Sequence, residues 1–239
     1  LRAHVQASGD ALAWPLSSHD DPRAPTRFGG GRLGATRALA YLTLLCGLPG
    51  VPFLYQGDEL GLDDAQLPPG TAEDPISVRN PGAPGRDAVR TPMLWDTTAN
   101  AGFTTGTPWL PIGDNHGPQR SVEAQLGDPD AHLERVRALL HARSRLPALT
   151  DDPTTRWPVK EGPVIVVERG DEALVVLHVG DGEGPAELEL PEGCTLVYAT
   201  RADIDLTDDV LHLPEDRAAI VALPDARLLD GTRELVTDE

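Results

Sequence analysis

Apolar positions along the chain follow two rhythms, and the change falls near residue 150. Before it, short apolar runs of strand length alternate with longer stretches in which apolar residues recur every three or four positions. ALAWPL at 11–16 predicts a buried strand, and LGATRALAYLTLLCG at 33–47 predicts a helix. Leu33, Arg37, Leu39, Ala40 and Leu44 fall near one face of that helix, and Gly47 supplies its stop. VPFLYQG at 51–57 predicts a second short strand, so the three elements read as a βαβ unit with parallel strands.

A second helix is marked by DPDAHLERVRALLHARSRLPAL at 128–149. Asp128 is the predicted cap and Pro129 the first helical residue, with Leu133, Val136, Leu140 and Arg143 on the facing turns and Pro147 at the end. Between these elements, residues 62–126 carry no periodic pattern. Connections of that length in compact domains are usually functional.

From Trp157 onward the rhythm shortens to that of strands. RWPVK, VIVVER, ALVVLHV, AELEL, TLVYAT, VLHL and AAIVAL read as seven strands, separated by turns such as GDE, GDGEG and PEG. The expected organisation is therefore an α/β domain over residues 1–150 and an all-β antiparallel sandwich over 151–239. The second domain carries no convergent acid, base or nucleophile, which gives it a structural or accessory role.

Composition narrows the function classes. The 239 residues are 40% hydrophobic, enough to build a core, and 38 acidic residues against 20 basic ones leave a formal net charge of −18. Such a surface repels phosphate backbones, so nucleic acid is not an expected partner. No apolar run approaches the ~20 residues of a membrane helix, and no secretory signal pattern opens the chain. Cys46 and Cys194 have no metal-type spacing and read as free buried thiols, which fits a cytoplasmic protein. The first residue is Leu1 and the one methionine is Met93, from which a longer native polypeptide is expected.

Titratable groups concentrate at the ends of the two predicted strands. Asp20 and Asp21 follow the first, in WPLSSHDDPRAPTRFGG, and Asp58 and Glu59 follow the second, in YQGDELG. The C-terminal ends of parallel strands are where barrel and open-sheet enzymes place their active sites. Other readings stay open at this point. Asp20 and Asp21 could cap the segment that follows them, and Asp58 and Glu59 could favour a helix start. His19, Asp20 and Asp21 are metal-type ligands without a spaced further partner, so no metal is expected. Trp95 and Trp109 could stack on sugar rings or pin the long loop.

These residues also carry a resemblance. SSHDDPRAPTRFGG resembles the strand-end NHD motif of the α-amylase superfamily, in its retaining α-glucosidase branch, and GVPFLYQGDELGL resembles the last barrel strand of those enzymes. GRDAVRTPMLWD at 85–96, NAGFTTGTPWLP at 100–111 and VEAQLGDPDAHLERVRALLHARSRLPAL follow in the family's order, so the resemblance covers about residues 12–149. Ser18 stands where the family usually has asparagine, and Asp21 where it usually has an apolar or small residue.

The resemblance implies a fold, a chemistry and a set of roles. Residues 1–150 would be the last strands and helices of an incomplete (β/α)8 barrel, with a long loop at 62–126, followed by the family's C-terminal β-domain. Asp20 matches the carboxylate that binds hydroxyls of the sugar at the scissile bond, and His19 a histidine hydrogen-bonding the same sugar. Arg90 and Arg86 fall where α-glucosidases place a substrate-binding arginine. The implied substrates are oligosaccharides or disaccharides, with no cofactor. Retaining glycosidases need a nucleophile and an acid/base carboxyl. In this family both lie on strands preceding the matched stretch, so this chain alone is expected to be inactive unless that N-terminal barrel portion is supplied separately. Two alternatives accompany this reading: glucosyl transfer or isomerisation, as in trehalose formation, and a non-catalytic carbohydrate-binding or scaffold protein.

Overall fold

The computed structural model describes residues 5, 12–71, 73–80, 85–113, 115–151, 154–158, 162–180 and 182–229. The chain divides into two compact units, one of Leu1–Ala13, Thr43–Val51 and Arg137–Glu239, the other of Trp14–Leu42 and Pro52–Val136. Both predicted strands form, as β1 (Ala13–Pro15) and β2 (Val51–Phe53), neighbours in a two-stranded sheet. They are not buried as expected: Ala13, Pro15, Val51 and Phe53 are exposed. A two-stranded sheet has two open edges and little to cover its faces, which accounts for the difference.

After the single turn α1 (Ala24–Arg27) comes the predicted long helix, α2 (Gly31–Gly47). Its burial is broader than one face: Ala35, Ala38, Leu39, Ala40, Leu42, Leu44 and Cys46 are all buried, and Leu33 is 49% exposed instead. Both helix ends are charged to suit the dipole. At the N-terminus the Asp63 carboxylate accepts from Gly31 N at 3.1 Å. At the C-terminus Arg143 donates to the Cys46 and Gly50 carbonyls, and the buried Arg169 donates to Gly47 O. Gly47 does end the helix, but through space: a Cβ there would lie 2.4 Å from Val175 Cγ2.

The long connection contains only short pieces, among them α3 (Pro75–Arg79), α4 (Val122–Gln125) and single 3-10 turns at Asp58–Leu60, Asp87–Val89, Ala99–Gly102 and Pro118–Arg120. It still has a small core of Leu60, Leu62, Met93, Leu94 and Leu133. The next helix, α5 (His132–Arg145), starts three residues later than predicted. Asp128 caps a turn instead, its Oδ1 accepting from Asp130 N, while Gln125 Oε1 accepts from Leu133 N at the true helix start. Its buried positions are Leu133, Val136, Leu139 and Ala142, so Leu139 replaces the predicted Leu140, which is 40% exposed. The helix stops before Leu146, and Pro147 opens a last turn, α6 (Pro147–Thr150).

Eight strands follow: β3 (Thr155–Arg156), β4 (Val164–Arg169), β5 (Ala173–His178), β6 (Ala186–Glu189), β7 (Thr195–Ala199), β8 (Asp205–Thr207), β9 (Val210–Leu213) and β10 (Arg217–Ala222). They form two antiparallel sheets, in the orders β3-β4-β5-β10-β7 and β6-β9-β8. Val166, Leu174, Val176, Leu211, Leu213, Ala219 and Val221 pool their side chains from both sheets in one core. Every residue of β5 is buried, which explains why its apolar run is continuous and not alternating. Six strands match the predicted runs; of RWPVK only Arg156 lies in a strand, Trp157 and Pro158 do not, and Val159 and Lys160 lie outside the described residues, while β8 was not foreseen. Among the described residues, no helix is long and apolar enough to cross a membrane.

Candidate functional site

The site grows out of the turn that follows β1. Ser18 Oγ accepts from Asp20 N at 3.1 Å and Asp21 N at 3.2 Å, and donates to Asp21 Oδ2 at 2.9 Å. Asp21 is therefore committed to its own turn. The two positions that depart from the family pattern, Ser18 and Asp21, bond to each other, and the loop they close carries His19 and Asp20 at its exposed tip.

Four residues singled out from sequence meet there. Asp20 Oδ1 accepts from Arg86 Nη1 and from Arg90 Nη2, each at 2.9 Å, and His19 Nε2 lies 3.2 Å from Oδ2. Arg90 Nε also donates to His19 O at 2.8 Å, so the same guanidinium holds the turn's backbone and its carboxylate. The hydrogen bond from Arg86 keeps the Asp20 carboxyl below the usual carboxylate range, with the charges of His19 and Arg86 adding to it. Asp20 is thus ionised at neutral pH. A fixed negative charge is what an oxocarbenium-like sugar requires.

The arginines are held in turn by buried charges that the sequence did not advertise. Asp74 is buried and takes Arg86 by its Nε at 2.7 Å and its Nη2 at 3.3 Å; this grip pulls the Asp74 carboxyl far down and pushes the Arg86 guanidinium up. On the other side Arg23, fully buried, donates Nη2 to Val89 O at 2.9 Å and Nη1 to Gln56 O at 2.6 Å. Its guanidinium lies 5.1 Å over the Tyr55 ring, and Tyr55 Oη donates to the same Val89 carbonyl at 2.9 Å. Val89 immediately precedes Arg90, so this knot fixes where Arg90 leaves the backbone. Gly57, at φ 91°, is part of it, because a Cβ there would come within 2.6 Å of Arg23 Nη1.

Asp58 and Glu59 behave as their local backbone demands. Asp58 is buried and its Oδ2 accepts from Tyr55 N at 2.9 Å, while Glu59 Oε2 accepts from Gly57 N at 2.7 Å. Burial pushes the Asp58 carboxyl up. Beside Arg90 opens a cleft of about 470 Å³, lined by Tyr55, Glu59, Arg90, Trp95, Phe103 and Trp109 with smaller residues between them. Trp95 is 50% and Trp109 63% exposed, and both line the cleft. Among the described residues no three His, Cys, Asp or Glu side chains gather as a metal set.

Sequence reasoning missed Asp74, Asp87, Arg23 and Tyr55. Arg23 lay inside a quoted motif without a role. The Asp-Pro pair at 74–75 is a visible helix-start signal, confirmed by the bond from Ile76 N to Asp74 Oδ1 at 2.9 Å, but nothing local announces a partner twelve residues away.

Comparison with known proteins identifies the family. A model of the alpha-amylase catalytic domain matches residues 2–152. The chain belongs to the alpha-amylase family, whose glycosidases are (β/α)8 barrels. It is 39% identical over 152 residues to a probable alpha-glucosidase of Rhizobium meliloti, covering 62% of this chain and 27% of that protein. It is 30% identical over 229 residues to the trehalose-6-phosphate hydrolase of Bacillus subtilis, covering 86% and 40%. Among solved structures, an alpha-glucosyl transfer enzyme, XgtA, superposes with a TM-score of 0.72 at 34% identity, over 88% of this chain and 40% of that one. The chain thus spans between about a quarter and two fifths of the length of these relatives.

Proposed function

We propose that this chain is the substrate-holding portion of a retaining α-glucosidase-like glycoside hydrolase acting on short α-linked glucosides, with the nucleophile and acid/base carboxyls contributed by barrel residues other than its own. The observation that carries this reading is the convergence of Arg86, Arg90 and His19 on the ionised Asp20 carboxylate beside an aromatic cleft. Asp20 Oδ1 is taken by the two guanidiniums, so Oδ2, 3.2 Å from His19 Nε2, is the oxygen that together with the His19 ring meets hydroxyls of the sugar at the scissile bond. As that ring flattens and gains positive charge, a carboxylate already fixed in place stabilises it without reorganising. The second sugar lies over Trp95 and Trp109, whose exposed faces offer the apolar platform that a pyranose CH face needs.

In this reading residues 1–150 belong to the barrel and 151–239 form an antiparallel β-sandwich with a structural or accessory role. Two unpaired cysteines support a cytoplasmic location. A second reading, transfer of the glucosyl group to another sugar, is favoured by one feature: an aromatic cleft presents a ring acceptor better than it presents water.

Titration of the chain with isomaltose, followed by tryptophan fluorescence and by NMR of the His19 ring, tests the proposal. Saturable binding is expected, weakened roughly tenfold or more by Asp20→Asn, since a hydrogen bond to a charged group is lost. Hydrolysis of p-nitrophenyl α-glucoside is expected to be absent. Binding unchanged by Asp20→Asn would remove Asp20 from substrate recognition, and turnover by this chain alone would overturn the division of catalytic labour.

A further inference from the structure

Asp74 stands out among the buried charges because most of its bonds serve one partner. Ile76 N donates to its Oδ1 at 2.9 Å, which is the ordinary work of a helix cap. Its other three contacts all come from Arg86: the backbone N at 2.9 Å and Nε at 2.7 Å to Oδ2, and Nη2 at 3.3 Å to Oδ1. A planar guanidinium gripped along one edge by two oxygens cannot rotate freely. The remaining nitrogen, Nη1, is therefore aimed, and it is the one that donates to Asp20 Oδ1 at 2.9 Å.

The grip has its own support. Asp87 Oδ2 accepts from Asp74 N at 2.9 Å and from Glu73 N at 2.8 Å, which fixes the backbone that presents Asp74. Gly85 lets the two segments approach: a Cβ there would lie 1.9 Å from Ser77 Oγ and 3.1 Å from Asp74 Cβ. The chain of contacts runs from a buried end to an exposed one, with Asp74 fully covered and Asp20 half open to solvent.

We propose that Asp74 is a positioning residue for sugar binding: through Arg86 it holds the Asp20 carboxylate in one orientation, with Oδ2 turned toward the His19 ring. This rests on the reading of Asp20 as the sugar-holding group. Helix capping alone predicts something different. Serine caps as well as aspartate but cannot hold a guanidinium by two oxygens, so Asp74→Ser separates the two roles.

The experiment follows the Asp20 carboxyl by carbon-detected NMR titration in the wild-type chain and in Asp74→Ser, Asp74→Asn and Arg86→Gln, with isomaltose affinity measured alongside. In Asp74→Ser the Asp20 titration midpoint is expected to move upward as it does in Arg86→Gln, with isomaltose affinity falling about tenfold; Asp74→Asn behaves alike if it folds. An Asp20 midpoint in Asp74→Ser that stays at the wild-type value while Arg86→Gln moves it overturns the proposal and leaves Asp74 a cap. A wild-type chain that binds no isomaltose, yet shows the midpoint shift in Asp74→Ser, overturns the sugar-binding reading while the hold of Asp74 on Asp20 stands.

Discussion

The two sheets of residues 155–222 and the segment 52–126 solve the same problem in opposite ways. In the sheets the backbone satisfies itself: six consecutive residue pairs register β4 against β5 and six register β5 against β10, and the side chains are left to pack. Beyond Phe53 the described residues of the long segment form no strand ladder, and every buried N–H and C=O there still needs a partner. Isolated backbone pairs provide some, such as Ala65 N to Ala88 O and Val122 N to Leu94 O, and polar side chains provide others. Asn115 bonds Gln66 N and Asp64 O, Asn100 bonds the carbonyls of Thr104 and Gly106, Arg120 bonds Gly61 O, and Gln125 bonds Leu60 O. A region held by polar side chains can place charges where a ladder cannot. The arginines that meet Asp20 come from the region without regular structure.

The largest effect that tests this contrast belongs to the sheets. Leu211 is fully buried in their shared core, opposite Leu188 on β6 and Leu206 on β8. Leu211→Ala is expected to cost about 2–5 kcal/mol, from lost transfer energy and the cavity left behind. Thermal melting measures it. The NMR signals of His19 and Asp20 should stay in place at temperatures below the transition; if they move, the polar segment depends on sheet packing and the contrast fails.

An intermediate effect is expected at Arg23. Replacing it by Met keeps the volume, and removes the donors to Gln56 O and Val89 O. Val89 O retains Tyr55 Oη, so one buried carbonyl is orphaned, at about 1–3 kcal/mol, with part of that offset because a buried cation no longer has to be desolvated. A smaller loss of stability than from Leu211→Ala is the expectation, combined with a larger loss of isomaltose binding as Arg90 loses its fixed origin. Equal binding in the two variants would show that the knot around Val89 does nothing for the site.

The same contrast decides what could be read in advance. Apolar runs revealed six strands because a ladder asks of its sequence only the right side chains on the right face. In α5 the period was legible, but its start was not: Gln125, outside the usual capping residues, takes the N-terminal amide in place of Asp128. The residues His19, Asp20, Arg86 and Arg90 were visible through their motifs, and the structure brings them within hydrogen-bond reach of one another. The roles of Asp74, Asp87 and Arg23 were not legible, because their partners lie between twelve and sixty-six residues away or on backbone atoms that no side-chain pattern encodes.

The strand that escaped notice, β8, leads to the smallest prediction. It is joined to β9 by Asp208 and Asp209 alone, with Thr207 paired to Val210. Both turn residues have positive φ, 50° and 62°, as the two-residue hairpin turn requires. Asparagine followed by glycine is the usual signal for that turn; two aspartates gave none, although aspartate tolerates the left-handed region better than most residues. Their side chains also place two like charges at one tight corner. Asp208→Asn with Asp209→Gly should relieve both costs and raise stability by about 0.5–1 kcal/mol, read as a higher melting midpoint with unchanged isomaltose binding. A lower midpoint would mean that these carboxylates hold the corner through contacts stronger than the strain they impose, and that this sheet, like the segment around Asp20, relies on charge where its backbone turns.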